Sequence, residues 1–236
     1  MVQQTPMKRF GIYISRVGIF LLLLGLSNTA SAWHDETHLA VAKAAGYAKW
    51  YNATGADIAK VKAGEVERKN HYVNNPSGTV VTAKMVLNQV RKYNDPNDEK
   101  GHLYGAIVSS LRNYLVEKKE GKYGEYHLAY CAHYVGDLSM PLHNTLYDSF
   151  NEKHHGTIDG TVNNEVLEHT DKIKIYPIEI KSEDDLIRQI ARIANISIKL
   201  GYLLESEDRL LNKEEAYAQL SHSASLLNAI LDYAKD

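Results

Sequence analysis

The sequence predicts an all-α, single-domain bundle of seven or eight helices, and three observations carry that expectation. Apolar residues recur at three- and four-residue spacings, as at Leu103, Ile107, Leu111 and Leu115, which is the period of one buried helix face. N-terminal capping residues precede two long segments, at Ser182-Glu-Asp-Asp185 and Asn212-Lys-Glu-Glu215. No repeat, low-complexity tract or linker divides residues 33–236, a length that suits one domain with a sizeable core.

Residues 1–32 read as a signal peptide. Lys8, Arg9 and Arg16 give a positive start, residues 17–26 are an apolar run, and Ala30-Ser31-Ala32 fits a small-residue cleavage site. A spanning helix needs about 20 apolar residues, so the run is short for an anchor, which is the alternative. Cleavage after Ala32 makes Trp33 the first residue and predicts export to the periplasm or the medium. The removed piece holds three basic and no acidic residues, so the remaining domain is net acidic. No basic tail or stripe advertises a polyanionic partner, and no obligate protein partner is evident. Cys131 is the only cysteine and excludes an internal disulfide; its apolar helical setting makes it a core residue. An exported chain without disulfides needs another source of rigidity, and bound metal is one.

In order along the domain, Asp35 is placed to cap a helix with Leu39, Val41, Ala42 and Ala45 beside His38, ending near Gly46. A second helix is expected over 57–69, then a turn at Asn74-Asn75-Pro76-Ser77-Gly78. Helices follow over 80–93 and 102–118, separated by Asn94-Asp95-Pro96-Asn97-Asp98. Gly121 and Gly124 precede a helix over 126–139. Residues 144–164 are irregular, as expected of a loop over a site. Residues 173–180 alternate like a short strand, although Pro177 favours an extended loop. Ser182 starts a long helix to about Leu204, and Asn212 the last, to about Ala234.

The stretch from His133 to His143 concentrates the chemistry. On a helix His133 and Asp137 share one face, about 6 Å apart along the axis, and one cation can touch both. A continuous helix carries His143 about 15 Å away, but Pro141 ends the helix near Ser139 or Met140, and the chain can fold His143 back. His155 and Asp159 repeat the one-turn pairing, as do Glu67 and His71. His154 is the alternative to His155, but only His155 stands four residues from Asp159. Three such pairs on separate segments exceed what surface capping explains. Imidazole with carboxylate suits zinc ahead of nickel, cobalt and manganese. His34, His102, His127, His169 and His222 stand outside these spacings.

Trp33 at a predicted new N-terminus, His38, a separate His71, the His133/Asp137/His143 block and the His155/Asp159 pair together resemble the zinc-dependent phospholipase C family, which shares its fold with the fungal single-strand-specific nucleases. The resemblance covers residues 33–159 in matching order and implies a trinuclear zinc cleft within the bundle. It assigns one zinc to His71, His133 and an acidic residue before His71. A second, more open zinc takes His143, His155 and Asp159. A third takes the amine and carbonyl of Trp33 with His38, and Asp137 bridges the first and third. The sequence departs from the family at the acid before His71, which in relatives stands a dozen or more residues upstream. Glu67 is favoured here, with Glu65 second. Asp57 has the longer spacing, but a helix over 57–71 would put it about 21 Å from His71.

The resemblance implies hydrolysis of a phosphate ester by a zinc-activated water, which Glu67 or Asp137 orients or deprotonates. The expected substrate is a phospholipid, with transient contact to a membrane surface. Nucleic acid is the substrate under the alternative of a single-strand nuclease or nucleotidase. A third reading, from another class, is a non-catalytic, zinc-stabilised binding protein.

Overall fold

The computed structural model of the protein describes residues 33–235. The expected signal peptide and its cleavage point lie outside the described residues. Nine α-helices form the described part: α1 Asp35–Ala44, α2 Gly55–Ala63, α3 Glu65–Arg68, α4 Ala83–Val90, α5 Leu103–Lys119, α6 Glu125–Leu138, α7 Ser149–Asp159, α8 Glu183–Ser206 and α9 Lys213–Tyr233. Short 3₁₀ turns occur at Trp50–Asn52, Pro141–Asn144 and Thr170–Lys172. The all-α expectation holds. The count exceeds seven or eight because one expected helix is two and one expected loop contains a helix.

Helix α6 is the axis of the bundle. It packs against α1, α2, α5, α8 and α9, and from Leu128 to Leu138 only Tyr130 escapes full burial. Cys131 is buried in it, with its thiol 3.7 Å from the Ile107 carbonyl oxygen. The two C-terminal helices begin where their caps predict. The Ser182 hydroxyl accepts the Asp185 amide at 3.3 Å, and Asn212 with Glu215 forms a complete capping box. At α1 the expectation shifts by one residue: His34 is the cap position, and Asp35 and Glu36 lie in the first turn, where their charge favours the positive end of the helix dipole.

Three local features shape the site. The helix expected over 57–69 breaks at Gly64, whose φ of 58° and ψ of −126° are open essentially only to glycine, and α3 sets off in a new direction. Pro141 ends α6 as expected and begins a 3₁₀ turn that carries His143. The region 144–164 is largely helix α7 and not a loop; the Asp148 carboxylate caps it by accepting the amides of Phe150 and Asn151, each at 3.0 Å. Residues 173–180 are extended without strand pairing. Their amides at Lys174 and Tyr176 donate to Ser221 and Ser225 of α9 at 2.9 and 2.8 Å, which satisfies backbone groups that a sheet would otherwise pair.

Candidate metal centre

The centre is organised on Asp137, a fully buried carboxylate on α6. Its Oδ2 lies 2.9 Å from His71 Nδ1 and 3.4 Å from His133 Nε2. Its Oδ1 lies 3.4 Å from both His38 Nε2 and His143 Nδ1. Four imidazoles from four segments therefore flank one carboxylate. Burial alone would raise the pKa of Asp137, but the charges of His133 and His143 and hydrogen bonds from His133 and His38 outweigh it and hold the group well below the ordinary carboxylate range.

Three groups of donor atoms converge, each within 4.8 Å: Asp57 with His71 and His133; His38 with His133 and Asp137; and His143 with His155 and Asp159. In the first, His133 Nδ1–H donates to the Ala53 carbonyl at 2.8 Å. That bond leaves Nε2 facing inward, 3.2 Å from His71 Nδ1 and 3.7 Å from Asp57 Oδ2. Burial lowers the pKa of His133, but Asp137 and Asp57 raise it to about 9. Since only one nitrogen of His133 faces inward, one cation can take it, and the second group is left with His38 and Asp137. The His38 ring stacks on His133 with centroids 3.8 Å apart. It approaches α6 so closely that a Cβ at Gly136 would stand 2.5 Å from its Nδ1.

In the third group, His143 Nε2 and His155 Nε2 are 3.2 Å apart, and Asp159 Oδ2 is 3.3 Å from His155 Nε2. Asn151 orients His155: its amide Nδ2 donates to the Leu142 carbonyl at 2.8 Å, which turns Oδ1 toward His155 Nδ1 at 2.6 Å. Burial is the leading cause that drops His143 to about 3 and that pushes Asp159 well above the carboxylate range.

The geometry favours Asp57 over Glu67 as the acidic partner of His71. Asp57, on α2, lies 3.9 Å from His71 Nδ1, because the Gly64 break folds α2 back over the centre. Glu67 lies on the opposite edge of the ring, 3.5 Å from Nε2. Its carboxylate is occupied by the Tyr134 hydroxyl and by Asn70 Nδ2 at 3.3 Å. Glu67 is thus the carboxylate behind a histidine, which fixes ring orientation and basicity, and neither it nor exposed Glu65 belongs to a converging group. Asn70 extends this support outward: its Oδ1 is 2.8 Å from His102 Nε2, and His102 Nδ1 is 3.1 Å from Asp98. Asn70 and Asn151 stand at no metal-ligand spacing in the sequence, and Asp57 enters the sequence reading only as the alternative that a continuous helix disfavours. Among the described residues, His34, His102, His127, His169 and His222 stay outside the three groups.

Trp33 is completely buried and its indole nitrogen has no hydrogen-bond partner. Whether its backbone nitrogen is an amine depends on cleavage outside the described residues.

A metal fits these donors. Among buried atoms without a hydrogen-bond partner are His38 Nδ1, both oxygens of Asp159 and Asp57 Oδ2. Unpaired buried polar groups are costly, and facing imidazole nitrogens at 3.2 Å suit a shared cation. Nitrogen and carboxylate donors are compatible with zinc.

The comparisons with known proteins add no family to this picture. No protein-family model matches the chain, and no curated protein matches it.

Proposed function

We propose that this chain is an exported, zinc-dependent phosphoric ester hydrolase that releases the headgroup of a phospholipid in the manner of phospholipase C. The observation that carries the proposal is the flanking of buried Asp137 by His38, His71, His133 and His143, with two further carboxylates, Asp57 and Asp159, completing the donor groups. In this reading Asp57, His71 and His133 hold one zinc, His143, His155 and Asp159 a second, and His38 with Asp137 and the freed end of Trp33 a third. When bound, zinc supplies Lewis acidity and lowers the pKa of its water from 15.7 to roughly 7. Asp137, held far below the ordinary carboxylate range, is a poor proton acceptor and serves as a ligand. Glu67 positions His71 and does not meet the water.

A cavity of about 180 Å³ lies against His71, His143 and His155, open where substrate must enter. It is smaller than the roughly 300–1,000 Å³ typical of sites for larger ligands, which favours a headgroup over a nucleoside. The test is zinc-dependent hydrolysis of chromogenic phosphodiesters with cationic and with anionic headgroups, and of single-stranded DNA, with and without chelator. Phosphodiester turnover that chelator abolishes supports the proposal. Turnover of DNA alone selects the nuclease reading, and full zinc content with neither activity selects a zinc-stabilised binding protein.

A further inference from the structure

The cavity over the centre has a cationic wall. Lys60 and Arg68 line it together with Tyr72, Asn74 and Tyr147, and no carboxylate is among its lining residues. This is a local inversion of charge, since the whole chain is formally −2. Lys60 is held in place by Asp57 at 2.6 Å, a bond that uses one of its three ammonium protons and leaves two. Arg68 bonds Glu65 at 3.3 Å through one of its guanidinium nitrogens and keeps the remaining donors of its planar fork, which match a carboxylate or phosphate. Of the two tyrosines that line it, Tyr72 already faces a cation, which takes up one of the aromatic surfaces that a quaternary ammonium would seek: Lys69 Nζ lies 3.2 Å from the Tyr72 hydroxyl and 5.9 Å from its ring centroid.

We infer that the cavity selects substrates whose headgroup carries an anionic group beyond the scissile phosphate, a carboxylate or second phosphate, and disfavours choline-type cations. The inference rests on the hydrolase reading and adds the chemical class of its substrate. Arg68 and Lys60 are its specificity-determining residues. Arg68 has about half of its side chain exposed, so its replacement leaves the fold intact. Lys60 also braces Asp57, so its replacement reports on both roles.

The test uses the full chain loaded with zinc and two small chromogenic diesters, the 4-nitrophenyl phosphodiesters of choline and of glycerate. In either, a water oxygen forms the new bond to phosphorus, the bond to nitrophenolate breaks, and the water proton leaves to solvent. The glycerate diester should show the larger kcat/KM by about tenfold or more, the low end of what a cleft lined by charge opposite to the substrate supplies. Arg68→Glu should reverse or abolish the preference at unchanged zinc content. Calorimetric titration with 3-phosphoglycerate and phosphocholine should rank the two in the same order. A preference for choline, or one that Arg68→Glu leaves untouched, overturns the inference while the hydrolase reading stands. Absence of turnover on both diesters overturns the hydrolase reading, and the titration then decides the cavity's charge preference by itself.

Discussion

Asp137 has more to lose than any other residue of the centre. Each of its oxygens lies within 3.4 Å of two imidazoles, so Asp137→Asn removes one negative charge from beside four imidazoles at once. It should lower bound metal more than any other single replacement, and elemental analysis that finds full metal would count against a bridging role. The structure also separates Asp57 from Glu67 by their place around His71. Glu67→Gln keeps a hydrogen-bonding group behind the ring and should weaken metal affinity by about 10–100-fold, the range for partners that orient a ligand. Asp57→Asn removes a donor and should weaken it further; competition against a chelator ranks the two. At this scale the sequence reveals one-turn pairs well, because His133/Asp137 and His155/Asp159 need only the helical repeat to meet. It hides Asp57, because a separation of fourteen residues has no fixed distance until the backbone between is known.

At the scale of the element, Gly64 is the residue whose backbone decides where a ligand goes. Its φ of 58° with ψ of −126° is forbidden to side chains by their own backbone, although a Cβ there meets nothing within 4 Å. Gly64→Ala should therefore cost about 1–3 kcal/mol through strain alone, lowering the melting temperature by about 2–4 °C per kcal/mol for a chain of this size. It should also loosen metal held with Asp57, while metal held by His143, His155 and Asp159 stays. Uniform loss across all groups would show that the break at Gly64 does not govern Asp57 specifically. The same break explains why a single helix was expected over 57–69: the helical pattern continues through Gly64 and only its geometry interrupts. Helix α7 escaped notice for the opposite reason. Its buried face includes Asn151, His155 and Asp159, which recur at helical spacing but are polar, so a search for apolar periodicity passes over it. The long helices α5, α8 and α9 bury apolar stripes and carry recognisable starts, and these were legible.

At the scale of the whole molecule, the bundle carries a concentrated set of buried ionisable groups, and its stability without metal should follow their titration. His133 is raised to about 9 from 6.5, so its protonation favours the folded chain; that contribution is complete below pH 6.5 and is lost as pH rises through about 9. Asp159, raised by burial, acts with the same sign, because its folded form holds a proton that the unfolded chain has released. His143 and His38 are lowered by burial, so their effect falls below pH 6.5, where the unfolded chain takes up protons that the folded chain refuses. The metal-free chain should therefore lose stability steadily between about pH 6.5 and 9. Bound zinc requires a neutral His133 and an ionised Asp159, so loading should release protons and remove that alkaline decline. Zinc at a thousand times its dissociation constant should add about 4 kcal/mol, seen as a higher melting temperature that stays level from pH 7 to 9. Parallel melting curves with and without zinc across this range make the comparison. If both decline equally, the buried imidazoles and carboxylates do not share their protons with a metal, and the centre loses the linkage that its geometry requires.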